Sequence, residues 1–319
     1  MTSEISNQKS EILLCPGQGA QHVGMAKAWF DAYPVAKQTF AAADQHLGFD
    51  LAGLCFSGPE EKLNRTDMAQ VAIYVASVAG YQALVETGGV ERANVAATAG
   101  LSLGEFTALH LAGAYDFLEG LELVRLRGRA MQDAAEASQG SMVAITGDVS
   151  EDAIVSLCQR AVEQAGSDEV LVPANYNSAM QVVVSGSIRA CEAVVPLASE
   201  AGFKPTPLTV AGAFHSPLMQ PAADRLAEAL ADVNWQTPRC PVYSNVTGEP
   251  HDSDANAIQD RLVKQLTHPV RWSQSMAHAA QAFPANAHGY AELPPGKVLT
   301  GLMRRIDKSV KVKNLAEPA

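Results

Sequence analysis

Short apolar runs alternate with amphipathic stretches along the first 139 residues of the chain. The run Glu11–Cys15 ends at a Pro-Gly-Gln-Gly turn, and small apolar residues at 95–97 precede a second glycine-rich turn. Strands that alternate with helices are typical of an α/β protein with a largely parallel sheet. We therefore predict an α/β fold with strands at these two runs and a helix over 106–112.

The pattern changes between residues 140 and 210. Four strand-like runs and two amphipathic helices follow one another here: strand 141–145, helix 151–164, strands 170–172 and 181–186, helix 189–201 and strand 204–210. This order is that of the split βαβ, or ferredoxin-like, unit. The pattern predicts a small ferredoxin-like domain at 140–210, inserted into a large catalytic domain made of 11–139 and 211–307, with tails at 1–10 and 308–319.

Composition narrows the class of protein. The chain has 319 residues, 18% of them charged, and a net charge of −11, which argues against a nucleic-acid binder because phosphate contacts need basic surface. Five scattered cysteines without a C-x-x-C pair predict reduced thiols and neither disulfides nor a zinc site. The polar first ten residues resemble no targeting peptide, and the apolar stretch 71–85 is too short and too polar for a membrane span. We expect a soluble, cytoplasmic protein with no membrane contact, and a monomer.

One local excess of positive charge stands out against the acidic whole. Between residues 297 and 313, six basic residues are opposed by Asp307 alone. This basic cluster consists of Lys297, Arg304, Arg305, Lys308, Lys311 and Lys313. A solvated C-terminal face and a docking patch for an acidic partner explain it equally well.

Residues 100–104 read Gly-Leu-Ser-Leu-Gly and place Ser102 between a strand and a helix. In this context the motif predicts a nucleophile elbow, since the glycines allow a sharp turn that exposes the serine hydroxyl. The helix that starts there directs free N–H groups toward a developing oxyanion. An ordinary strand-turn-helix joint is the alternative.

A serine nucleophile needs a base that accepts its proton near neutral pH, and His215 is the best placed histidine. It follows the predicted small domain and precedes a helix, at an interface where clefts form. Residues 17–21 (Gly-Gln-Gly-Ala-Gln) lack the third glycine of a dinucleotide fingerprint and the lysine of a P-loop. They fit better as a loop that lends a second N–H to the oxyanion than as a phosphate-binding turn.

Three arginines lie on one predicted helix, where Arg125 and Arg129 share a face and Arg127 points elsewhere. An arginine that faces a cleft can hold a substrate carboxylate through two parallel hydrogen bonds. For Arg125 and Arg129 we expect ordinary solvated helix charges.

Taken together, these motifs resemble the malonyl-CoA:acyl-carrier-protein transacylases, the acyltransferase family that loads malonyl groups in bacterial and plastid fatty acid synthesis. The likeness covers residues 11–307 through six segments in the family's order: 17–21, 100–105, 127–132, 175–178, 214–219 and 296–302. It implies a hydrolase-like α/β core with an inserted ferredoxin-like lobe. It also implies ping-pong transfer of a malonyl group from malonyl-CoA, through a malonyl-serine, to the phosphopantetheine thiol of acyl carrier protein, without a metal or other cofactor.

The resemblance implies a role for each matching position. The nucleophile is Ser102 and its base His215; the backbone N–H groups of Gln18 and Leu103 form the oxyanion hole; Arg127 binds the malonyl carboxylate; the main-chain carbonyl of Gln265 orients His215; Asn177 lies near the acyl and cofactor site; and the bulk of Phe214 disfavours an α-methyl branch. Carrier proteins of this kind are acidic, so the basic cluster is expected to form part of their docking surface.

Two positions depart from the family pattern. Leu101 stands where many members have histidine, a position that the serine–histidine chemistry does not require. Pro294 stands where glycine is usual, and a proline there removes an N–H and fixes φ. This substitution bears on the loop geometry near the basic cluster and not on the catalytic assignment.

Two other functions remain open at this point. An α/β-hydrolase esterase or thioesterase would share the elbow and use a late histidine, His268, His278 or His288, as its base. The other hypothesis is a subunit that binds the carrier protein and has no catalytic activity.

Overall fold

The computed structural model describes residues 10–318. The strands in this range are β1 (Glu11–Cys15), β2 (Val95–Gly100), β3 (Gly140–Thr146), β4 (Leu171–Ser178), β5 (Gln181–Ser187), β6 (Lys204–Pro207), β7 (Val242–Tyr243), β8 (Gly289–Glu292) and β9 (Val312–Asn314). The α-helices are α1 (Lys27–Ala32), α2 (Pro34–Leu47), α3 (Leu51–Ser57), α4 (Glu60–Leu63), α5 (Thr66–Glu86), α6 (Leu103–Ala112), α7 (Phe117–Ser138), α8 (Glu151–Ala165), α9 (Ile188–Glu200), α10 (Gln220–Ala231), α11 (Ala255–Gln265), α12 (Trp272–Ala282) and α13 (Val298–Ile306). Short 3₁₀ turns cover Arg92–Asn94 and Pro217–Met219.

The larger sheet is parallel and has the strand order β7-β2-β1-β8-β9. Alternate side chains of β1 are buried in different places, with Leu13 and Cys15 in one hydrophobic cluster and Ile12 and Leu14 in another. Burial on both faces is the rule for parallel sheets covered by helices. Cys15 pairs with Gly100, so the loops that follow β1 and β2 leave the sheet side by side.

The smaller sheet is antiparallel, with the order β4-β5-β3-β6 of a ferredoxin-like unit. Val143 and Ile145 pack with α8 and α9 in a separate cluster, whereas Met142 and Ala144 face the large core. The α/β class with an inserted ferredoxin-like unit is thus confirmed. Strand β4 extends past the predicted 170–172 because its later residues also pair with β5, and β6 stops short of 210, where its ladder with β3 ends.

The division of the chain at residues 140 and 210 stays a prediction. Two separate sheets support it, as does the separate hydrophobic cluster formed by β3, β4 and β5 with α8 and α9.

Helix α5 is longer than the apolar stretch at 71–85 that was expected to be too short for a membrane span. The apolar stretch at 71–85 belongs to a helix of 21 residues, which is long and apolar enough to cross a membrane by length and composition alone. However, 83% of its most apolar window is buried inside the protein. Burial, rather than shortness, therefore identifies α5 as a core helix.

The predicted C-terminal tail at 308–319 is wrong. Within it β9 pairs with β8, and the backbone N–H of Leu315 donates to Glu292 O at 2.9 Å. Leu315 and Ala316 are buried, and the indole N–H of Trp29 donates to both of their carbonyl oxygens, at 3.2 and 3.0 Å. The segment was missed because its apolar run is short and its partners lie far away in the sequence.

The predicted N-terminal tail at 1–10 lies outside the described residues except for Ser10. The backbone N–H of Gly289 donates to Ser10 O at 3.0 Å, so the chain is tied to β8 immediately before β1.

Removal of residues 312–319 is expected to lower the free energy of unfolding by about 2–4 kcal/mol, because the buried Leu315 side chain and the edge strand are lost. Removal of 317–319 is the matched control, since Glu317 is exposed. Urea unfolding of both truncations checks this, and equal stability of the two would contradict the structural role of β9.

Candidate active site

Ser102 occupies a sharp turn between β2 and α6, with φ 53° and ψ −105°. A Cβ added at Gly104 would lie 2.1 Å from Cys15 O, and one at Gly100 would lie 1.9 Å from the carbonyl carbon of Gly104. Real Cβ atoms do not approach other atoms so closely, so both positions require glycine. The close packing of the strand against the helix raises Ser102 at the carboxyl end of β2.

The backbone of Ser102 is held on both sides by buried side chains. Its N–H donates to Asn245 Oδ1 at 2.6 Å, and its carbonyl accepts from Gln265 Nε2 at 3.0 Å. A non-glycine residue with positive φ persists only where its surroundings hold it there. Asn245 and Gln265 supply that restraint.

Ser102 and His215 come together across 113 residues of sequence, with Oγ and Nε2 at 2.8 Å. His215 Nδ1 lies 2.7 Å from the main-chain oxygen of Gln265. A carbonyl only accepts hydrogen bonds, so Nδ1 carries the proton and the lone pair of Nε2 faces the serine hydroxyl.

His215 is only 4% exposed, and its environment disfavours the imidazolium. Burial and then the nearby Arg127 charge lower the pKa of His215 to about 4, although the bond to Gln265 O acts to raise it. The imidazole is therefore neutral at physiological pH and free to accept a proton.

Arg127 projects from α7 into the same site and is 1% exposed. Its Nη1 donates to Gln70 Oε1 at 2.6 Å, and its Nη2 donates to Gln265 Oε1 at 2.8 Å and to Ser102 Oγ at 3.0 Å. Burial lowers the pKa of Arg127 to about 9, with the charge of Glu105 acting to raise it. The guanidinium stays positive at neutral pH and lies directly beside the serine hydroxyl.

The other two arginines of α7 lie away from Ser102. Arg125 is half-buried and pairs with Glu122 at 2.6 Å, and Arg129 is exposed. Both fit the expectation of ordinary helix charges.

Two main-chain donors are available near Ser102. Gln18 follows β1 and lines the same cleft as Ser102, and Leu103 is the first residue of α6. Within residues 10–318, neither backbone N–H donates a hydrogen bond. Free N–H groups at a helix start attract negative charge.

Ser102 and His215 line a cleft of about 720 Å³ between the large core and the smaller sheet. Phe214, only 6% exposed, forms part of its apolar wall. Asn177 reaches the cleft from β4, where its Nδ2 donates to Gln181 Oε1 at 3.3 Å. The buried Oδ1 of Asn177 accepts no hydrogen bond from any group within residues 10–318.

The late histidines are engaged elsewhere. His268 Nδ1 lies 3.0 Å from Lys264 O, His278 Nδ1 lies 3.2 Å from the Tyr243 hydroxyl, and His288 Nδ1 lies 2.8 Å from Ser10 Oγ. Of the histidines in the described range, His215 is the one that lines the cleft beside Ser102. The hypothesis that a histidine late in the sequence serves as the base, as in an α/β-hydrolase, is therefore wrong.

Four buried polar residues of the site were missed by the sequence analysis: Gln70, Glu105, Asn245 and His251. Glu105 directly follows the elbow glycine, which is the one local signal that could have found it. The other three come from separate segments with no recognisable spacing.

The basic cluster does not form one patch. Lys297 precedes Val298, which lines the cleft, whereas Arg305 lines a second groove with Tyr176 and Gln274. A third groove, at the amino-terminal ends of β1 and β8, is lined by residues that include Lys311 and Lys313.

The two departures from the family pattern are accommodated differently. Leu101 lines the cleft, and its carbonyl oxygen would lie 2.2 Å from a Cβ at Gly17. Pro294 packs against Gly80 of α5, and its carbonyl accepts a hydrogen bond from Ser77 Oγ at 2.5 Å. The small residues of α5 leave room for this ring.

The cysteines and other metal-binding side chains are dispersed. All five cysteines lie in the described range, where they are unpaired, and Cys240 is the least buried. Between residues 10 and 318, no group of three or more His, Cys, Asp or Glu side chains is arranged to hold a metal ion.

Comparison with known proteins gives consistent matches over almost the whole chain. The acyl transferase domain family matches residues 12–317. The malonyl CoA-acyl carrier protein transacylase of Escherichia coli K12 is 42% identical over 306 residues, which are 95% of each chain. The crystal structure of malonyl-CoA:acyl carrier protein transacylase from Xanthomonas oryzae pv. oryzae is 39% identical, with a TM-score of 0.90 and coverage of 98% of this chain and 96% of that one. A malonyl-transacylase in complex with a type II polyketide synthase acyl-carrier protein is 36% identical, with a TM-score of 0.90 and coverage of 97% and 96%.

The low pKa of His215 leads to a pH prediction. His215 is neutral above pH 4, so the rate at which a neutral organophosphorus reagent modifies Ser102 should fall with a midpoint at about 4 as pH decreases. In Arg127→Met the midpoint should move upward, toward the ordinary histidine value, because the positive charge contributes to the depression. Mass spectrometry follows the labelling, and circular dichroism at each pH verifies the fold. Midpoints at the ordinary value in both proteins would contradict the assignment.

Proposed function

Because this chain belongs to the acyl transferase domain family, we propose that it transfers a malonyl group from malonyl-CoA to the phosphopantetheine thiol of an acyl carrier protein, a step of fatty acid biosynthesis. The observation that carries this function is the buried Arg127 guanidinium, 3.0 Å from the Ser102 hydroxyl. A fixed cation beside the nucleophile suits an acyl group that carries its own carboxylate.

In the first half-reaction Ser102 Oγ attacks the thioester carbonyl of malonyl-CoA while His215 Nε2 accepts its proton. The resulting oxyanion accepts hydrogen bonds from the backbone N–H groups of Gln18 and Leu103, and one such donor contributes about 10²–10³ in rate. The tetrahedral intermediate collapses, the C–S bond breaks, and the imidazolium returns its proton to the coenzyme A thiolate. Malonyl-Ser102 remains.

The second half-reaction reverses these roles. The phosphopantetheine thiol gives its proton to His215 and attacks the ester carbonyl of malonyl-Ser102, and the same N–H groups stabilise the second oxyanion. Breakage of the C–O bond returns the proton to Ser102. The carbonyl of Gln265 keeps His215 in the tautomer that both steps need.

Arg127 binds the malonyl carboxylate during both steps. Its Nη2 now donates to Ser102 Oγ and Gln265 Oε1, and its Nε has no partner within residues 10–318. A carboxylate that replaces the serine contact would receive a charge-assisted pair of hydrogen bonds. Charge therefore selects malonyl over uncharged acyl groups.

The cleft wall adds selection by shape. Phe214 precedes the base, and its bulk would contact an α-methyl branch, so methylmalonyl groups are disfavoured. Asn177 offers its unpartnered Oδ1 to an amide N–H of the pantetheine arm.

The proposed reaction uses only side chains and main-chain donors, so it calls for no metal or redox cofactor. All of the groups named come from one chain, which supports a monomer as the working unit. We also propose that the protein acts in the cytoplasm and binds neither membranes nor nucleic acids.

The acidic carrier protein is proposed to dock on the part of the basic cluster that α13 and its N-terminal flanking residue carry, namely Lys297, Arg304 and Arg305. Lys297 directly precedes α13, whose Val298 and Leu302 line the cleft, and the two arginines lie in its last turn. An enzyme with net charge −11 needs such local positive surface to attract an acidic partner.

Brief exposure to malonyl-CoA should convert the protein to a stable malonyl-enzyme, observed as an increase in intact mass that Ser102→Ala abolishes.

Arg127→Ala should lower malonyl transfer by about 10² or more, because a buried charged pair is lost, while acetyl transfer is spared or improved. Initial rates with malonyl-CoA and acetyl-CoA check this. Rapid release of free malonate would favour a hydrolase, and a retained malonyl preference in Arg127→Ala would refute the carboxylate contact.

Charge reversal of Lys297, Arg304 and Arg305 to glutamate should raise KM for the carrier protein about ten-fold at low salt, since steering charges act mainly on association. Transfer to free pantetheine should stay unchanged in the same variant. The matched control is charge reversal of Lys311 and Lys313, which line the separate groove at the amino-terminal ends of β1 and β8. Equal KM values in both variants would show that docking occurs elsewhere.

A further inference from the structure

A buried carboxylate lies beneath the elbow and outside the mechanism described above. Glu105, in the first turn of α6, is fully buried. Its Oε2 accepts from Gln265 Nε2 at 2.5 Å and from the backbone N–H of Asn245 at 3.2 Å. Its Oε1 lies 2.6 Å from His251 Nε2.

Glu105 determines which way the Gln265 amide faces. With Nε2 turned toward Glu105 and Ser102 O, the amide oxygen must face Arg127 Nη2, at 2.8 Å. A rotated amide would present its NH₂ group to the guanidinium and its oxygen to the carboxylate. Both contacts would be repulsive in a buried site, so the acceptor oxygen of Glu105 excludes the rotated state.

His251 in turn holds Glu105. Its side chain is 1% exposed, and its Nδ1 has no partner within residues 10–318. A carboxylate only accepts hydrogen bonds, so His251 Nε2 carries a proton and donates to Oε1, which leaves Oε2 for Gln265 and Asn245.

We propose that Glu105, held by His251, is a positioning residue that sets the amide orientation of Gln265 and thereby the Arg127 guanidinium that receives the malonyl carboxylate. This inference rests on the proposed function and deepens it. A purely structural role for Glu105 would affect all acyl groups alike, because the serine–histidine chemistry is common to them. A positioning role acts through Arg127 and lowers malonyl transfer selectively.

The test measures kcat/KM for malonyl-CoA and acetyl-CoA, with transfer to acyl carrier protein, in Glu105→Met and Glu105→Gln. Glu105→Met removes every acceptor and should lower the malonyl-to-acetyl ratio about ten-fold or more. In Glu105→Gln one of the two carboxylate oxygens that accept hydrogen bonds is replaced by an NH₂ group, and the other remains an acceptor. The malonyl-to-acetyl ratio of this variant should therefore fall about three-fold. Partial rescue by the isosteric amide is the signature of hydrogen-bond positioning.

Glu292→Met is the matched control. Glu292 is also fully buried and accepts three hydrogen bonds, from Leu299 N, Thr300 N and Thr300 Oγ1, so its loss should reduce stability without changing the ratio. A ratio within about two-fold of wild type in Glu105→Gln overturns the proposal, whether or not Glu105→Met folds. Failure of the wild-type protein to form malonyl-carrier protein would instead overturn the proposed function itself.

Discussion

The backbone of Ser102, at φ 53° and ψ −105°, is the constraint on which the rest of the site depends. Such a conformation costs about 1–3 kcal/mol and must be held by its surroundings. Gly100 and Gly104 permit it by allowing β2 and α6 to touch, and Asn245 and Gln265 hold the N–H and carbonyl of Ser102 itself. Elements that are distant in sequence therefore meet around one strained residue.

Gln265 connects this backbone restraint to the chemistry. Its main-chain oxygen faces His215, its side-chain oxygen faces Arg127, and its NH₂ group donates to Ser102 O and Glu105. Buried polar networks of this kind are stable only when each member is satisfied. One glutamine thus links the proposed base, the proposed carboxylate receptor and the nucleophile's turn.

Burial and a neighbouring cation explain why the proposed base is a weak one. Burial first and then the charge of Arg127 lower the pKa of His215, which keeps the ring neutral and available but reduces its basicity. The same guanidinium donates to Ser102 Oγ and would stabilise the alkoxide that forms as the proton leaves. The loss of base strength is thereby offset at the nucleophile, and the carboxylate of malonyl would neutralise the cation during turnover.

Local sequence was sufficient wherever a feature depends on neighbouring residues. The Gly-x-Ser-x-Gly turn, the alternation of strands and helices, the ferredoxin-like order at 140–210 and the opposite faces of Arg125 and Arg127 all follow from spacing along the chain. The resemblance to a known family added the residue roles, which spacing alone could not assign. The contact between Ser102 and His215, for instance, spans 113 residues.

Only the tertiary structure decided what depends on packing between distant segments. Asn245, His251 and Gln70 have no spacing signal, because each reaches the site from a different element, and β9 is too short to be recognised without its partner β8. The members of the basic cluster are close in sequence, yet Arg305 lines one groove and Lys311 and Lys313 line another, because they belong to different elements of the fold. Sequence by itself thus determined the turn that presents Ser102, and the folded chain decided which buried groups surround it, because hydrogen-bond partners are selected by proximity in space.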